Sequence, residues 1–209
     1  MSFIVFLGLV ASVMAAPRQQ AYGCGVSAAQ LALPTSTAFS IPSGVQPEYI
    51  ALGVGTQNYT CSSTGTYTSA GAVATLIDIS CIEQSDPDTF QNVQTYAYNV
   101  IGNWNSVISI LGPYVHVLGK HYFISQSGSI APKFDFSQTG NGYVVAKKIA
   151  GASSPDGTRN VDWLELQNTS GSLAKYVYRV NTQGGQPPAS CTAGQTVTVP
   201  YTAKYWFFN

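Results

Sequence analysis

Val197-Thr198-Val199-Pro200-Tyr201-Thr202-Ala203-Lys204-Tyr205-Trp206-Phe207-Phe208 is the stretch that decides the fold class. Val197, Val199, Tyr201, Ala203, Tyr205 and Phe207 share one face of an extended chain. Thr198, Thr202 and Lys204 share the other, joined at its end by Trp206 and Phe208. A period of two over this length is the signature of a β-strand, because successive side chains leave a pleated backbone on opposite sides. Working back along the chain, Tyr176, Tyr178 and Val180 alternate with Val177 and Arg179. Residues 163–167 and 143–150 are shorter strand candidates. Residues 114–118 and 121–125 flank Gly119-Lys120, which reads as a tight hairpin turn. Nearer the N-terminus, bulky Ile50, Leu52 and Val54 alternate with small Ala51, Gly53 and Gly55, as expected of a strand with one core face. Ser62-Ser63-Thr64-Gly65 is a turn cluster, and Val73, Thr75, Ile77 and Ile79 form a β-branched run behind it.

The period changes once. Phe90, Val93, Ala97, Val100, Ile101, Trp104, Ile108 and Leu111 recur at steps of three and four, the helical spacing. Asp86 can cap the free amides of a helix start, and Pro87 suits the first helical position. Gly102-Asn103 divides the run, and Gly112-Pro113 ends it. The expected architecture is mainly β: a single-domain β-sandwich or barrel with a helical insertion near residues 86–111. Residues 1–15 read as a signal peptide, 16–47 as an irregular N-terminal segment, and 48–209 as one β-rich domain.

The signal-peptide reading rests on the apolar run at residues 3–11 followed by small residues at Val13-Met14-Ala15. That run is too short to span a bilayer. Charged residues make up 9% of the 209, and the formal net charge is zero. A basic face for nucleic acid and a polybasic membrane patch are therefore not expected. A polar surface built from Ser, Thr, Asn, Gln and Tyr suits neutral extracellular partners such as cell-wall glycans. Four cysteines, Cys24, Cys61, Cys81 and Cys191, in a chain directed to an oxidising compartment predict two disulfides, with three pairings open. Their spacing matches no zinc motif, and no cofactor is expected. Asn58-Tyr59-Thr60 and Asn168-Thr169-Ser170 are N-glycosylation sequons.

Several segments carry a resemblance: residues 119–123 (Gly-Lys-His-Tyr-Phe), 132–136 (Pro-Lys-Phe-Asp-Phe), 161–164 (Val-Asp-Trp-Leu), 178–188 (Tyr-Arg-Val-Asn-Thr-Gln-Gly-Gly-Gln-Pro-Pro) with Cys191, and 199–207. From about Tyr49 onward the chain resembles a family of secreted fungal and bacterial proteins of unknown function. The Arg-Val-Asn-Thr-x-Gly-Gly segment is its most specific part. The cysteine spacing and the helical insertion resemble the fungal branch, some of whose members carry the name malate dehydrogenase. The residues give that name no mechanism. A nicotinamide dinucleotide site needs glycines between a strand and a helix, whereas Gly53-Val54-Gly55-Thr56-Gln57-Asn58 lacks the third glycine and runs on as strand.

The candidate polar residues are His121, Asp135, Arg179 and Asn181. His116 and His121 flank the expected hairpin, but two histidines need a third ligand to hold zinc. On strand parity Arg179 and Asn181 share a face; Arg179 either clamps a ligand carboxylate or pairs with an acid such as Asp135 or Asp162. Asp135, Asp162 and Glu165 offer carboxylates for glycoside hydrolysis, with no local spacing that pairs them. No Gly-x-Ser-x-Gly elbow and no His-Glu-x-x-His motif occurs. Tyr122, Trp163, Tyr205 and Trp206 are candidate rings for stacking on sugar, or else core. Three functions follow as expectations: a non-enzymatic, glycan-binding extracellular or cell-wall protein; a carbohydrate-active enzyme around His121, Asp135 and Arg179; or an effector acting on a host or competitor.

Overall fold

The period-two segments pair in chain order into one closed antiparallel barrel of eight strands. The structure is a computed structural model and describes residues 24–33, 39–112, 116–126 and 128–209. The strands are β1 (Pro47–Cys61), β2 (Tyr67–Asp78), β3 (Val117–Gln126), β4 (Ser129–Asp135), β5 (Tyr143–Ala152), β6 (Trp163–Gly171), β7 (Tyr176–Gly184) and β8 (Thr196–Phe208). The C-terminal strand, β8, closes the barrel by pairing with β1 on one side and β7 on the other. Closure leaves no sheet edge to pair with another chain.

Between β2 and β3 the chain forms α1 (Ser80–Ser85), α2 (Pro87–Asn99) and α3 (Trp104–Leu111). Asp86 caps α2 by accepting from the Thr89 amide at 3.0 Å, with Pro87 at the first helical position. Asn103 caps α3 by accepting from the Ser106 amide. The helical insertion stands where its spacing predicts it, with α1 as an additional short turn of helix ahead of it.

The expected hairpin at Gly119-Lys120 is not there. Strand β3 runs unbroken through both residues, and the turn lies beyond Gln126, which pairs with Ser129. Gly119 answers a different need: a Cβ there would stand 2.0 Å from the Asp135 carbonyl oxygen. Glycine permits the close approach of two backbones, and that requirement looks like a turn signal when only the sequence is read.

The alternation in β1 also resolves differently from a one-faced strand. Both faces are buried. Ala51 and Gly53 point into the barrel, while Ile50, Leu52 and Val54 point outward under a second layer. Eight strands enclose a narrow interior. A Cβ on Gly53 would lie 2.5 Å from the Tyr205 ring, so the small residues of β1 make room for the large ones of β8. The second layer packs Val93 and Ala97 of α2, Val107 and Leu111 of α3, and Val26, Leu31 and Phe39 of the N-terminal segment against the outer wall. On the polar face of β8, Thr202 and Lys204 are buried by the same layer. Thr202 donates to the Gln94 carbonyl at 2.7 Å, and Lys204 donates to the Gln91 carbonyl at 3.2 Å with its ammonium over the Phe90 ring. Burial lowers the Lys204 pKa to about 8.

Two disulfides brace these layers. Cys24–Cys81 ties the N-terminal segment to α1, and Cys61–Cys191 ties the end of β1 to the loop before β8. Both close long stretches of chain, the case in which a bridge restricts the unfolded state most. Residues 1–15 lie outside the described residues. No helix among the described residues is long and apolar enough to cross a membrane.

Candidate functional site

The inward face of the barrel changes character along its length. Toward the start of β1 and the end of β8 it is packed with rings. Tyr49, Phe134, Phe136 and Phe207 meet edge to face at centroid distances of 5.1–6.5 Å. Such a cluster fills the bore and excludes water. Next comes a polar layer. His121 is buried and stacks on Phe134 at 4.3 Å, with Nδ1 3.0 Å from the Lys133 carbonyl. A carbonyl only accepts, so Nδ1 carries the proton. Burial lowers the His121 pKa to about 4, so the ring is neutral. Beside it the Tyr201 and Tyr205 hydroxyls meet at 2.8 Å. Burial raises both phenols, against the opposing charge of Arg179.

Beyond this layer the barrel opens. A cavity of about 490 Å³ is lined by Phe123, Ala131, Pro132, Ala146, Val161, Leu164 and Leu166, with Gln57, Tyr59 and Arg179 at its inner end and Lys147, Lys148, Gln126 and Gln186 among its outer residues. Tyr59 donates to the Gly185 carbonyl at 2.8 Å. Gln57 acts on the Tyr201 phenol as a near neighbour, yet its Nε2 has no partner in hydrogen-bonding geometry. Arg179 lies opposite Leu164 and Tyr205, on the inward face of β7. Its Nε and Nη2 both donate to the Asp162 main-chain carbonyl, at 3.0 and 2.8 Å. The expected acid partner is thus a neutral carbonyl.

Of the four candidate polar residues, His121 and Arg179 share the interior. Asp135 does not join them. It stands on the outer wall, where it pairs with Lys133 at 2.8 Å and accepts from Tyr122 and Ser137. Burial pushes this carboxyl up, but the hydrogen bonds outweigh it and hold the pKa well below the usual range. One residue of strand parity separates Asp135 from the inward Phe134, and that is enough to put it across the wall. Asn181 also leaves the Arg179 face. It has φ +48°, inside the irregularity between Val180 and Gln183. An extra residue there breaks the alternation on which a shared face depends. The enzyme reading required His121, Asp135 and Arg179 to converge, and the barrel wall divides them.

The candidate stacking rings are mostly core. Trp163 and Trp206 are buried in the outer layer, and Tyr205 lies inside the barrel. Tyr122 alone is half-exposed, beside Lys133. Glu165 is buried against Tyr178, and its carboxyl is raised by that burial. Among the described residues no three His, Cys, Asp or Glu side chains gather to hold a metal ion. Among the polar cavity residues that the sequence did not single out are Gln57, Tyr59, Lys147 and Lys148. The available signal was parity: Gln57 and Tyr59 continue the odd-numbered face of β1 that begins with Ala51 and Gly53.

The two sequons differ in the fold. Asn168 Nδ2 donates to the Gly171 and Ala174 carbonyls at 3.0 and 2.7 Å, so both its hydrogens are engaged. Asn58 uses only its Oδ1, which accepts from Thr198 on the outer wall. Expression through a eukaryotic secretory pathway is expected to place glycan on Asn58 and leave Asn168 bare. Intact-mass analysis of the wild type and Asn58→Gln checks this; a glycan retained in the variant contradicts it.

No curated protein and no solved structure matches the chain. A family profile described as protein of unknown function (DUF3455) matches residues 42–209, the whole barrel with its helical layer, and the chain belongs to that family.

Proposed function

We propose that this is a secreted binding protein whose barrel holds a small organic molecule. One observation carries the reading: the barrel is plugged with aromatic rings at one end and open at the other, onto a cavity of about 490 Å³ with apolar walls and a polar floor. Ligand sites have this size and composition, and an eight-stranded barrel is about wide enough for one small ligand. The apolar leader at residues 3–11 and the two disulfides support an extracellular setting. The neutral fluorophore N-phenyl-1-naphthylamine tests it. Its emission is expected to rise on binding the protein, and Ala131→Trp, which fills the mouth, is expected to abolish the rise while leaving the near-ultraviolet dichroism of a folded barrel. No enhancement, or enhancement indifferent to the blocking ring, counts against the container.

A second reading keeps the glycan partner but moves it to the outer wall. Lys120, Tyr122, Asp135, Gln138 and Thr139 line a groove of about 460 Å³ there. An aromatic face beside hydrogen-bonding groups is what a sugar ring requires. Pull-down on insoluble cell-wall polysaccharide is expected to fail for Tyr122→Ala if this groove is used; retention equal to wild type removes the reading.

A further inference from the structure

The inner end of the cavity has a charge without a counter-charge. Arg179 makes no ion pair among the described residues, and its Nε and Nη2 both donate to one main-chain carbonyl. Its side chain also bonds to the buried Tyr205 phenol, again a neutral group. A guanidinium drawn into a barrel loses hydration that a neutral carbonyl does not replace. Gln57 supplies a second, independent sign of the same need. Its side chain lines the cavity at 6% exposure, and its Nε2 is a donor with no acceptor. A cation with only neutral partners and an unsatisfied amide donor, lining one cavity, ask for an anionic acceptor that the lining does not supply.

The mouth extends the bias. Lys148 pairs across β5 and β6 with Leu166, an interior residue, and so faces the opening. Its ammonium lies over Gly151, where a Cβ would come within 2.9 Å of Nζ. Lys147 stands next to it in the lining, and Asp162 is the one acid among the lining residues. A chain of zero net charge has gathered Lys147, Lys148 and Arg179 against Asp162 at this one opening. Such a field draws anions to the mouth.

Resting on the container reading, we infer that the ligand is a compact organic acid. Its carboxylate meets the Arg179 guanidinium and the Gln57 amide, and its apolar body lies along Phe123, Val161 and Leu164. A planar guanidinium takes a carboxylate through paired hydrogen bonds, and the contact is strongest where water is excluded.

Matched acids and amides test this by titration calorimetry: cinnamate against cinnamamide, and octanoate against octanamide. Each pair shares its body and differs in charge. The acids are expected to bind at least about tenfold tighter than their amides. Arg179→Gln is expected to bring the acids down to amide affinity while N-phenyl-1-naphthylamine still enters. Lys148→Gln, on an exposed residue that does not threaten folding, is expected to weaken the acids, lessen their salt dependence and leave the amides alone. Equal affinity of acid and amide overturns the inference, as does an acid preference that survives Arg179→Gln. If the neutral fluorophore binds but neither acid nor amide does, the inference falls and the container stands. If the fluorophore does not bind either, the container itself falls.

Discussion

Trp206→Ala is expected to destabilise the protein by about 3–5 kcal/mol, the usual cost of removing a large buried ring. Trp206 is 3% exposed. It lies on the outer wall between Tyr178 of β7 and Ile50 of β1. Its ring meets Phe90 of α2 edge to face at 6.1 Å and stacks on Phe208 at 6.3 Å. Removing it opens a void in the seam that joins the helices to the barrel, where neighbours anchored in paired strands cannot collapse to fill it. Trp206→Phe is expected to cost much less. The indole Nε1 has no hydrogen-bond partner, so its loss forfeits volume but no polar contact. Urea denaturation of both variants measures the difference. A Trp206→Ala protein as stable as wild type would mean that the ring is available at the surface, as a sugar-stacking role requires.

Stability is expected to fall by about 3 kcal/mol as the pH drops from about 6.5 to about 4, on account of His121 alone. Burial disfavours the imidazolium in the fold. The unfolded chain takes up a proton near the ordinary histidine value, 6.5, whereas the folded one resists until about 4. The unfolded state therefore binds more protons within that window and gains on the native state as acid is added. Above the window the contribution is fully present, and below it no further loss comes from this residue. Asp78 and Glu165, whose carboxyls burial raises, give slopes of the opposite sign. The quantity to compare is therefore wild type against His121→Phe, which keeps a ring on Phe134 and cannot titrate. A pH dependence identical in the two proteins would contradict a neutral, buried His121.

How much of the fold is legible in the sequence depends on the range of the interaction involved. The caps at Asp86 and Asn103 act over three residues, so residue types and spacing were enough to place α2 and the break before α3. Alternation in β7 and β8 is likewise local. The misplaced hairpin has the opposite origin. Gly119 is small because of Asp135, which is distant in sequence and adjacent only once β3 and β4 pair. The candidate site divided along the same line. Parity sets Arg179 with Val177 on one face of β7; that this face looks inward, that a bulge interrupts the strand at Asn181, and that Asp135 stands on the far side of the wall came only with the tertiary structure.

By itself the sequence determined that the chain builds strands around a helical insert, because period two and period 3.6 are properties of a few neighbouring residues. It also supplied four cysteines for two bridges. Which cysteines pair, whether the sheet stays open or closes, and which face of each strand looks inward were decided only by tertiary structure. Closure gave β1 two buried faces, so the bulky Ile50, Leu52 and Val54 serve the helical layer and the small Ala51 and Gly53 serve the bore. The physical reason is space. A ring of eight strands has a fixed and narrow interior, and the residues that fit it are chosen by partners across the barrel rather than by neighbours along the chain. The same closure set Arg179 at the inner end of a cavity whose lining comes from seven of the eight strands.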